Sequence, residues 1–200
     1  MARGTHNGTA FADIRFTARE AELHWVVFAG QHGAYQYLVN RALPVLGELR
    51  TLWRLDNGTF TRGATGLRDE ALPPLRDFVA ANRVQDETWR APAGDGYITK
   101  YDFSAWVRRL VAYGVYGEGR GSWYINAGKD YYNGNHLKQE LTVHRESRTG
   151  DAVMLNMIHG THFQGLTNDS FADGKMWGPW LWYLVRPPPF VQPPGRGRRS

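Results

Sequence analysis

The segment Leu49-Arg50-Thr51-Leu52-Trp53-Arg54-Leu55 decides the fold class. Successive side chains of a β-strand point to opposite faces, and this segment alternates in that way. Arg50 and Arg54 are therefore expected on one face with Leu52 between them, their Cα atoms about 13 Å apart. The face can attract anions, or it can be an ordinary solvent edge whose arginine stems cover apolar surface.

Similar short segments rich in aromatic and β-branched residues recur along the chain and predict further strands. They cover residues 23–28, 34–39, 121–126, 152–158 and 180–185. Residues 69–82 are the exception, because Pro73 and Pro74 precede a spacing that predicts one short helix. Residues 86–96 are polar and predict a loop. Strands without alternating long helices favour a mostly β fold, an antiparallel β-sandwich.

The composition predicts the domain organisation and argues against nucleic acid and a membrane as partners. The chain has 200 residues, no cysteine, 24 basic and 19 acidic side chains, and a net charge of +5. Four arginines and no acid lie in residues 186–200, so residues 1–185 are nearly neutral. We predict a folded domain over 1–185, a disordered Pro/Arg-rich tail over 186–200, and no nucleic-acid partner. No apolar segment approaches the roughly 20 residues of a membrane span, and the first twelve residues lack the apolar core of a secretory signal.

Lys100 is one of only four lysines, against twenty arginines. It lies in the alternating run 97–103, which predicts Tyr97 and Phe103 on one side and Lys100 on the other. As a base it would need a neutral amine, and at a reference pKa of about 10.4 fewer than one in a thousand is neutral at pH 7. An arginine at about 7 Å contributes on the order of 2 kcal/mol toward the neutral form, so two would suffice. A surface ion pair with Asp102 is the alternative.

His159 and His162 form an H-x-x-H pair directly after a predicted strand. No helix places both rings on one ligand face and no third ligand stands at a telling spacing, so a metal site is not favoured. Either histidine suits proton transfer near neutral pH or a structural hydrogen bond. Residues 123–144 mix aromatic rings, amides and Lys138, a composition typical of carbohydrate sites and equally of ordinary β-protein loops.

Six segments, taken in order, resemble the rhamnogalacturonan endolyases of polysaccharide lyase family 4. They are Gly47-Glu48-Leu49-Arg50 with Arg54-Leu55, Thr99-Lys100-Tyr101 with Phe103, Trp123 with Ile125, Lys138-Gln139-Glu140-Leu141-Thr142 with His144, His162, and Lys175 with Trp177-Gly178-Pro179. The resemblance spans about residues 45–185. It implies a β-sandwich of the galactose-mutarotase-like kind, here an incomplete or divergent catalytic domain.

The resemblance also implies a chemistry, β-elimination in the rhamnose–galacturonate backbone of rhamnogalacturonan I. It assigns Lys100 as base and His162 as the acid for the leaving oxygen. It assigns substrate binding to Arg50, Arg54, Lys138 and Gln139. It further implies an acidic pectic polysaccharide as partner, no membrane partner, a monomer, an extracellular location, and no cofactor or metal for the chemistry, with a structural calcium left open.

Two other functions fit the same sequence. A non-catalytic sugar-binding sandwich would keep the aromatic and amide surface but have no turnover. A mutarotase-like epimerase would share the architecture and act on free sugars with a histidine and a carboxylate. The lyase itself is expected to lose activity if the chain is too incomplete.

Overall fold

The computed structural model describes residues 1–92, 94–106, 109–129, 139–160 and 170–185, with only the backbone at 139, 140 and 160. This part of the chain is built almost entirely of strands. They are β1 (Ala2–His6), β2 (Thr9–Thr17), β3 (Ala21–Phe28), β4 (Gly33–Asn40), β5 (Glu48–Leu55), β6 (Arg62–Ala64), β7 (Asp69–Ala71), β8 (Arg83–Gln85), β9 (Thr88–Arg90), β10 (Tyr97–Thr99), β11 (Ala105–Trp106), β12 (Ala112–Gly117), β13 (Arg120–Ile125), β14 (Gln139–Glu140), β15 (Val143–Arg145), β16 (Ala152–Gly160) and β17 (Met176–Val185).

The strands form two packed antiparallel sheets, so the predicted β-sandwich is confirmed. A nine-stranded sheet has the order β1-β2-β3-β4-β17-β13-β12-β6-β7, and a three-stranded sheet has the order β15-β16-β5. Two small sheets, β10-β9-β8 and β11-β14, lie outside this pair. All six strands expected from the sequence are present, as β3, β4, β5, β13, β16 and β17.

Two local expectations were wrong. Residues 69–82 form β7 and two 3₁₀ turns, Leu75–Asp77 and Ala80–Asn82, instead of one short helix. The expected loop at 86–96 contains β9, which pairs with β8 and β10. The chain also begins with a β1–β2 hairpin that the polar, glycine-rich composition did not indicate. The expected tail, 186–200, lies outside the described residues.

The core fills the space between the two large sheets. Trp53 of β5 stacks on Trp182 of β17, with ring centroids 4.3 Å apart and an interplanar angle of 15°. The Tyr113 hydroxyl of β12 donates to the backbone carbonyl of Leu155 in β16 at 2.9 Å. These contacts hold the three-stranded sheet against the larger one. The most deeply buried large side chains include Tyr113, Tyr124, Met154, Ile158, Trp177 and Trp180.

A register shift interrupts β16 between Met157 and His159. Met157 lies opposite Arg50, but His159 lies opposite Leu49, so one extra residue is accommodated on β16. Such a β-bulge changes which face the following side chains occupy. The His159 ring is fully buried and packs edge-on against Phe171 at 4.7 Å.

No helix in the described ranges is long and apolar enough to cross a membrane.

Candidate functional site

The face of the three-stranded sheet that points away from the core carries the predicted arginines. Arg50, Leu52 and Arg54 are exposed, whereas Leu49 and Trp53 pack against the core. The alternation expected for this strand is therefore confirmed. Arg50 Nε lies 3.0 Å from Glu48 Oε1, and Arg54 Nη1 lies 3.0 Å from Asp151 Oδ2.

Lys100 lies in a turn after β10 and not within a strand. The Thr99 N–H donates to the Asp102 carboxylate at 3.1 Å, and the Asp102 N–H donates to the Thr99 carbonyl at 3.2 Å. The alternating run expected over 97–103 is therefore wrong beyond Thr99. Tyr97 is 61% exposed while Phe103 is 3% exposed, so these two rings do not share a face.

Two carboxylates hold the Lys100 ammonium, whose side chain is only 10% exposed. Nζ lies 2.8 Å from Glu87 Oε2 and 3.1 Å from Glu146 Oε1. The Lys100 backbone N–H also donates to the Glu87 carbonyl at 3.1 Å. Glu87 is held at the β8–β9 turn with φ of 47°, a left-handed conformation that non-glycine residues rarely adopt. The β10-β9-β8 sheet therefore positions both Lys100 and Glu87.

Glu146 contacts both Lys100 and an arginine on the outer face of the three-stranded sheet. Its other oxygen, Oε2, lies 3.6 Å from Arg54 Nη2. Glu146 and Asp151 lie at the two ends of the β15–β16 hairpin turn, where the Glu146 N–H donates to the Asp151 carbonyl at 2.9 Å. Arg54 therefore reaches both ends of this turn, and one chain of ion pairs runs from Glu87 through Lys100 and Glu146 to Arg54.

The two positive groups control the ionisation of Glu146. Burial is the largest influence and acts to raise its pKa, but the hydrogen bond and charge of Lys100, with the charge of Arg54, outweigh it. The pKa of Glu146 is therefore lowered, and the carboxylate is ionised at neutral pH. The groups in contact with Lys100 are carboxylates and not arginines. Its assignment as the base stays a prediction.

His144 is buried beside this cluster. It lies opposite Val153 in the β15–β16 pair, one strand away from Arg54, which is paired with the same valine. Burial, followed by the positive charge of Lys100, lowers the pKa of His144 to about 4, against the opposing influence of Glu146. The ring is neutral at pH 7, and its Nδ1 has no hydrogen-bond partner in the described part of the chain.

Several predicted residues cannot be placed at this site. His162 and Lys138 lie outside the described residues, and Gln139 is described by its backbone only, paired with Trp106. His159 is buried on the core side of β16. The site therefore unites Arg50, Arg54 and Lys100 on one side of the sandwich, and the remaining assignments stay predictions.

Glu87, Glu146 and His144 were not identified as site residues from the sequence. A carboxylate 46 positions from its lysine gives no periodic signal, so only the fold brings Glu146 to Lys100. His144 could have been found from the sequence, because it ends the lyase-like segment that begins at Lys138. Among the described residues, no group of three or more histidine, aspartate and glutamate side chains is arranged to hold a metal ion.

Comparison with known proteins gives consistent results. The chain is 37% identical over 183 residues to a rhamnogalacturonate lyase of Dickeya dadantii, covering 88% of this chain. The chain is a homologue of rhamnogalacturonate lyases. It is also 28% identical to rhamnogalacturonate lyase B of Emericella nidulans and 24% identical to a probable rhamnogalacturonate lyase B of Aspergillus niger, over 90% and 89% of this chain. No family model matches.

The chain spans about a third of the length of those relatives. The matched region is 30% of the Dickeya dadantii protein, 31% of the Emericella nidulans protein and 29% of the Aspergillus niger protein. The resemblance to rhamnogalacturonan lyases seen in the sequence is confirmed.

Proposed function

We propose that this chain forms part of the catalytic region of a polysaccharide lyase that cleaves rhamnogalacturonan I by β-elimination. One observation carries the proposal. Lys100, Arg50 and Arg54 lie on one side of the sandwich, and Glu146 links Lys100 to Arg54 through contacts of 3.1 and 3.6 Å. The relatives named rhamnogalacturonate lyases support the choice of reaction.

The proposed reaction needs a base, an acid and a group that offsets the substrate carboxylate. The Lys100 amine takes the proton from carbon 5 of a galacturonate. The C–H electron pair forms the double bond between carbons 4 and 5, and the bond from carbon 4 to the glycosidic oxygen breaks. His162 gives its proton to that oxygen. The guanidinium of Arg50 or Arg54 pairs with the uronate carboxylate and makes the proton more acidic.

The contacts of Lys100 impose a condition on this chemistry. Its Nζ lies 2.8 Å from Glu87 Oε2 and 3.1 Å from Glu146 Oε1. Only a neutral amine with a free lone pair can accept a proton, so the substrate must displace at least one of these contacts before elimination.

The test is the absorbance of the unsaturated uronate product during incubation with rhamnogalacturonan, with homogalacturonan as the comparison substrate. A rise with the first substrate and none with the second supports the proposal. Equal rates on both would make the substrate assignment wrong. If the protein binds rhamnogalacturonan but the absorbance does not change at any pH, the protein is a binding protein and not a lyase.

A non-catalytic sugar-binding domain is the second candidate. The same two carboxylate contacts favour it, because they give Lys100 a structural ion-pair role that needs no proton transfer. Lys100→Arg distinguishes the two functions. A binding protein keeps its affinity in this variant, whereas a lyase loses turnover since arginine stays protonated.

The remaining properties follow from the lyase proposal. We propose an acidic pectic polysaccharide as partner, an extracellular location and a monomeric protein. The elimination as written uses no cofactor, so a chelator of divalent cations should leave the rate unchanged. A structural calcium would instead appear as a loss of thermal stability with the chelator.

A further inference from the structure

A pocket of about 470 Å³ lies on the other side of the β15–β16 hairpin from Lys100. It opens between this hairpin, the turn after β5 and the segment that follows β7. We call it the Arg145 pocket. Its lining includes Asn57, Thr61, Leu72, Leu75, Arg76 and Arg145.

Arg145 is the reason to regard this pocket as a binding site. The residue is 5% exposed. Its Nε donates to the Pro73 carbonyl at 3.1 Å and its Nη1 to the Gly150 carbonyl at 2.8 Å. Within the described ranges, no hydrogen bond reaches Nη2 and no carboxylate lies within ion-pair distance. Burial lowers the pKa of Arg145, an effect that the charge of Asp151 only partly opposes.

This pocket is distinct from the Lys100 cluster. Arg145 and Glu146 are neighbours in the chain, but Glu146 contacts Lys100 and Arg54, whereas Arg145 contacts the backbone at Pro73 and Gly150. A ligand in the Arg145 pocket would therefore face the opposite side of the hairpin.

The lining matches an anionic ligand with an apolar face. A guanidinium binds a carboxylate with two parallel hydrogen bonds, and a buried one gains more than an exposed one. Arg76 lies at the rim with its side chain 84% exposed, and its Nε is 3.8 Å from Asp77 Oδ1, so it adds a positive group that a loose ion pair partly offsets. Leu72 and Leu75 offer apolar surface for a sugar ring, and Asn57 offers an amide for hydroxyl groups. The volume falls within the usual range of small-ligand sites, roughly 300–1,000 Å³.

We propose that the Arg145 pocket binds the carboxylate of an acidic sugar, a uronate, outside the cluster that contains Lys100. The carboxylate preference rests on Arg145 itself. The choice of a uronate among carboxylates rests on the proposed function.

The experiment is an amide NMR titration of the full chain with galacturonate, and with galactose and acetate as comparison ligands. Galacturonate is expected to shift the signals of Gly150, Asn57 and Leu75, with affinity at least about tenfold above that of galactose. Acetate should shift the same signals more weakly, because it lacks the ring. Acetate binding as tightly as galacturonate would show a carboxylate site without sugar specificity and overturn the uronate assignment.

Arg76→Ala tests the pocket without removing a buried group. It should weaken galacturonate binding about three- to tenfold, while Arg120→Ala, the same change at an exposed site outside the pocket lining, should not. Equal affinities for the two variants would overturn the proposal, as would shifts confined to the residues around Lys100 and Arg54. The same titration on Lys100→Arg separates the two proposals, since the pocket should still bind when lyase activity is absent.

Discussion

Lys100 Nζ lies 3.1 Å from Oε1 of Glu146, a residue 46 positions further along the chain. The ion pair ties the turn after β10 to the β15–β16 hairpin, so Lys100 has a structural role as well as its proposed chemical one. Substitutions of Lys100 must therefore be tested for stability and for activity separately.

Lys100→Arg should separate those two roles. Arginine keeps a positive charge beside Glu87 and Glu146, so the free energy of unfolding should stay within about 1 kcal/mol of the wild type. Arginine does not lose its proton in proteins, so lyase activity should fall at least about a hundredfold. Lys100→Ala should also lower the stability, by about 1–2 kcal/mol, because two carboxylates lose their partner. Wild-type activity in Lys100→Arg would rule out Lys100 as the base.

Glu146→Gln should reduce stability in a pH-dependent way. The pKa of Glu146 is lowered in the folded protein, so its contribution is present above its ordinary pKa and is lost as pH falls through the folded value. We expect Glu146→Gln to be about 1–2 kcal/mol less stable than the wild type at pH 7. The difference should shrink below about pH 4. Denaturant unfolding of both proteins across this range checks the sign, and a gap that widens in acid would contradict it.

His144 should make the protein sensitive to mild acid. Its pKa is lowered from 6.5 to about 4 by burial and by the charge of Lys100. The unfolded chain therefore binds a proton at a higher pH than the folded one, and stability falls as pH drops from about 6.5 to about 4. The loss from this group is about 3 kcal/mol over that window. His144→Gln should flatten the decline, whatever its stability at pH 7, and an unchanged slope would contradict the assignment.

Trp53 and Leu52 offer a comparison of the two faces of β5. Trp53 stacks on Trp182 across the core, whereas Leu52 is exposed between the arginines. Trp53→Ala should cost about 2–4 kcal/mol of unfolding free energy, and Leu52→Ala less than about 1 kcal/mol. Similar losses in the two variants would mean that the sheet does not pack as described.

The sequence predicted most of what depends on local alternation. The period of two over 49–55 placed Arg50 and Arg54 on one face, because Leu49 and Trp53 must reach the core. The β1–β2 hairpin escaped prediction since most of its residues are exposed, and pairing with β3 rather than burial maintains it. The proline pair at 73–74 does precede helical turns, but only short 3₁₀ ones.

The site was less predictable because tertiary contacts determine it. The Asp102 side chain accepts a hydrogen bond from the Thr99 N–H and turns the chain at Lys100, which ended the expected alternation. Glu87 and Glu146 reach Lys100 from two different hairpins. The sequence indicated the cationic residues of the site, whereas the carboxylates that contact Lys100 and Arg54 were visible only once the sheets were assembled.

The bulge in β16 shifts the inward–outward alternation of its side chains by one residue. Up to Met157, every second residue faces the arginines, and a regular strand would have sent His159 to that side as well. The extra residue turns the imidazole inward, where it packs against Phe171. Deleting Ile158 would restore the simple alternation and leave His159 on the inner side, because His159 already lies opposite Leu49 and would then follow Met157 directly. The strand would lose a buried aliphatic side chain but keep the facing of its last residues.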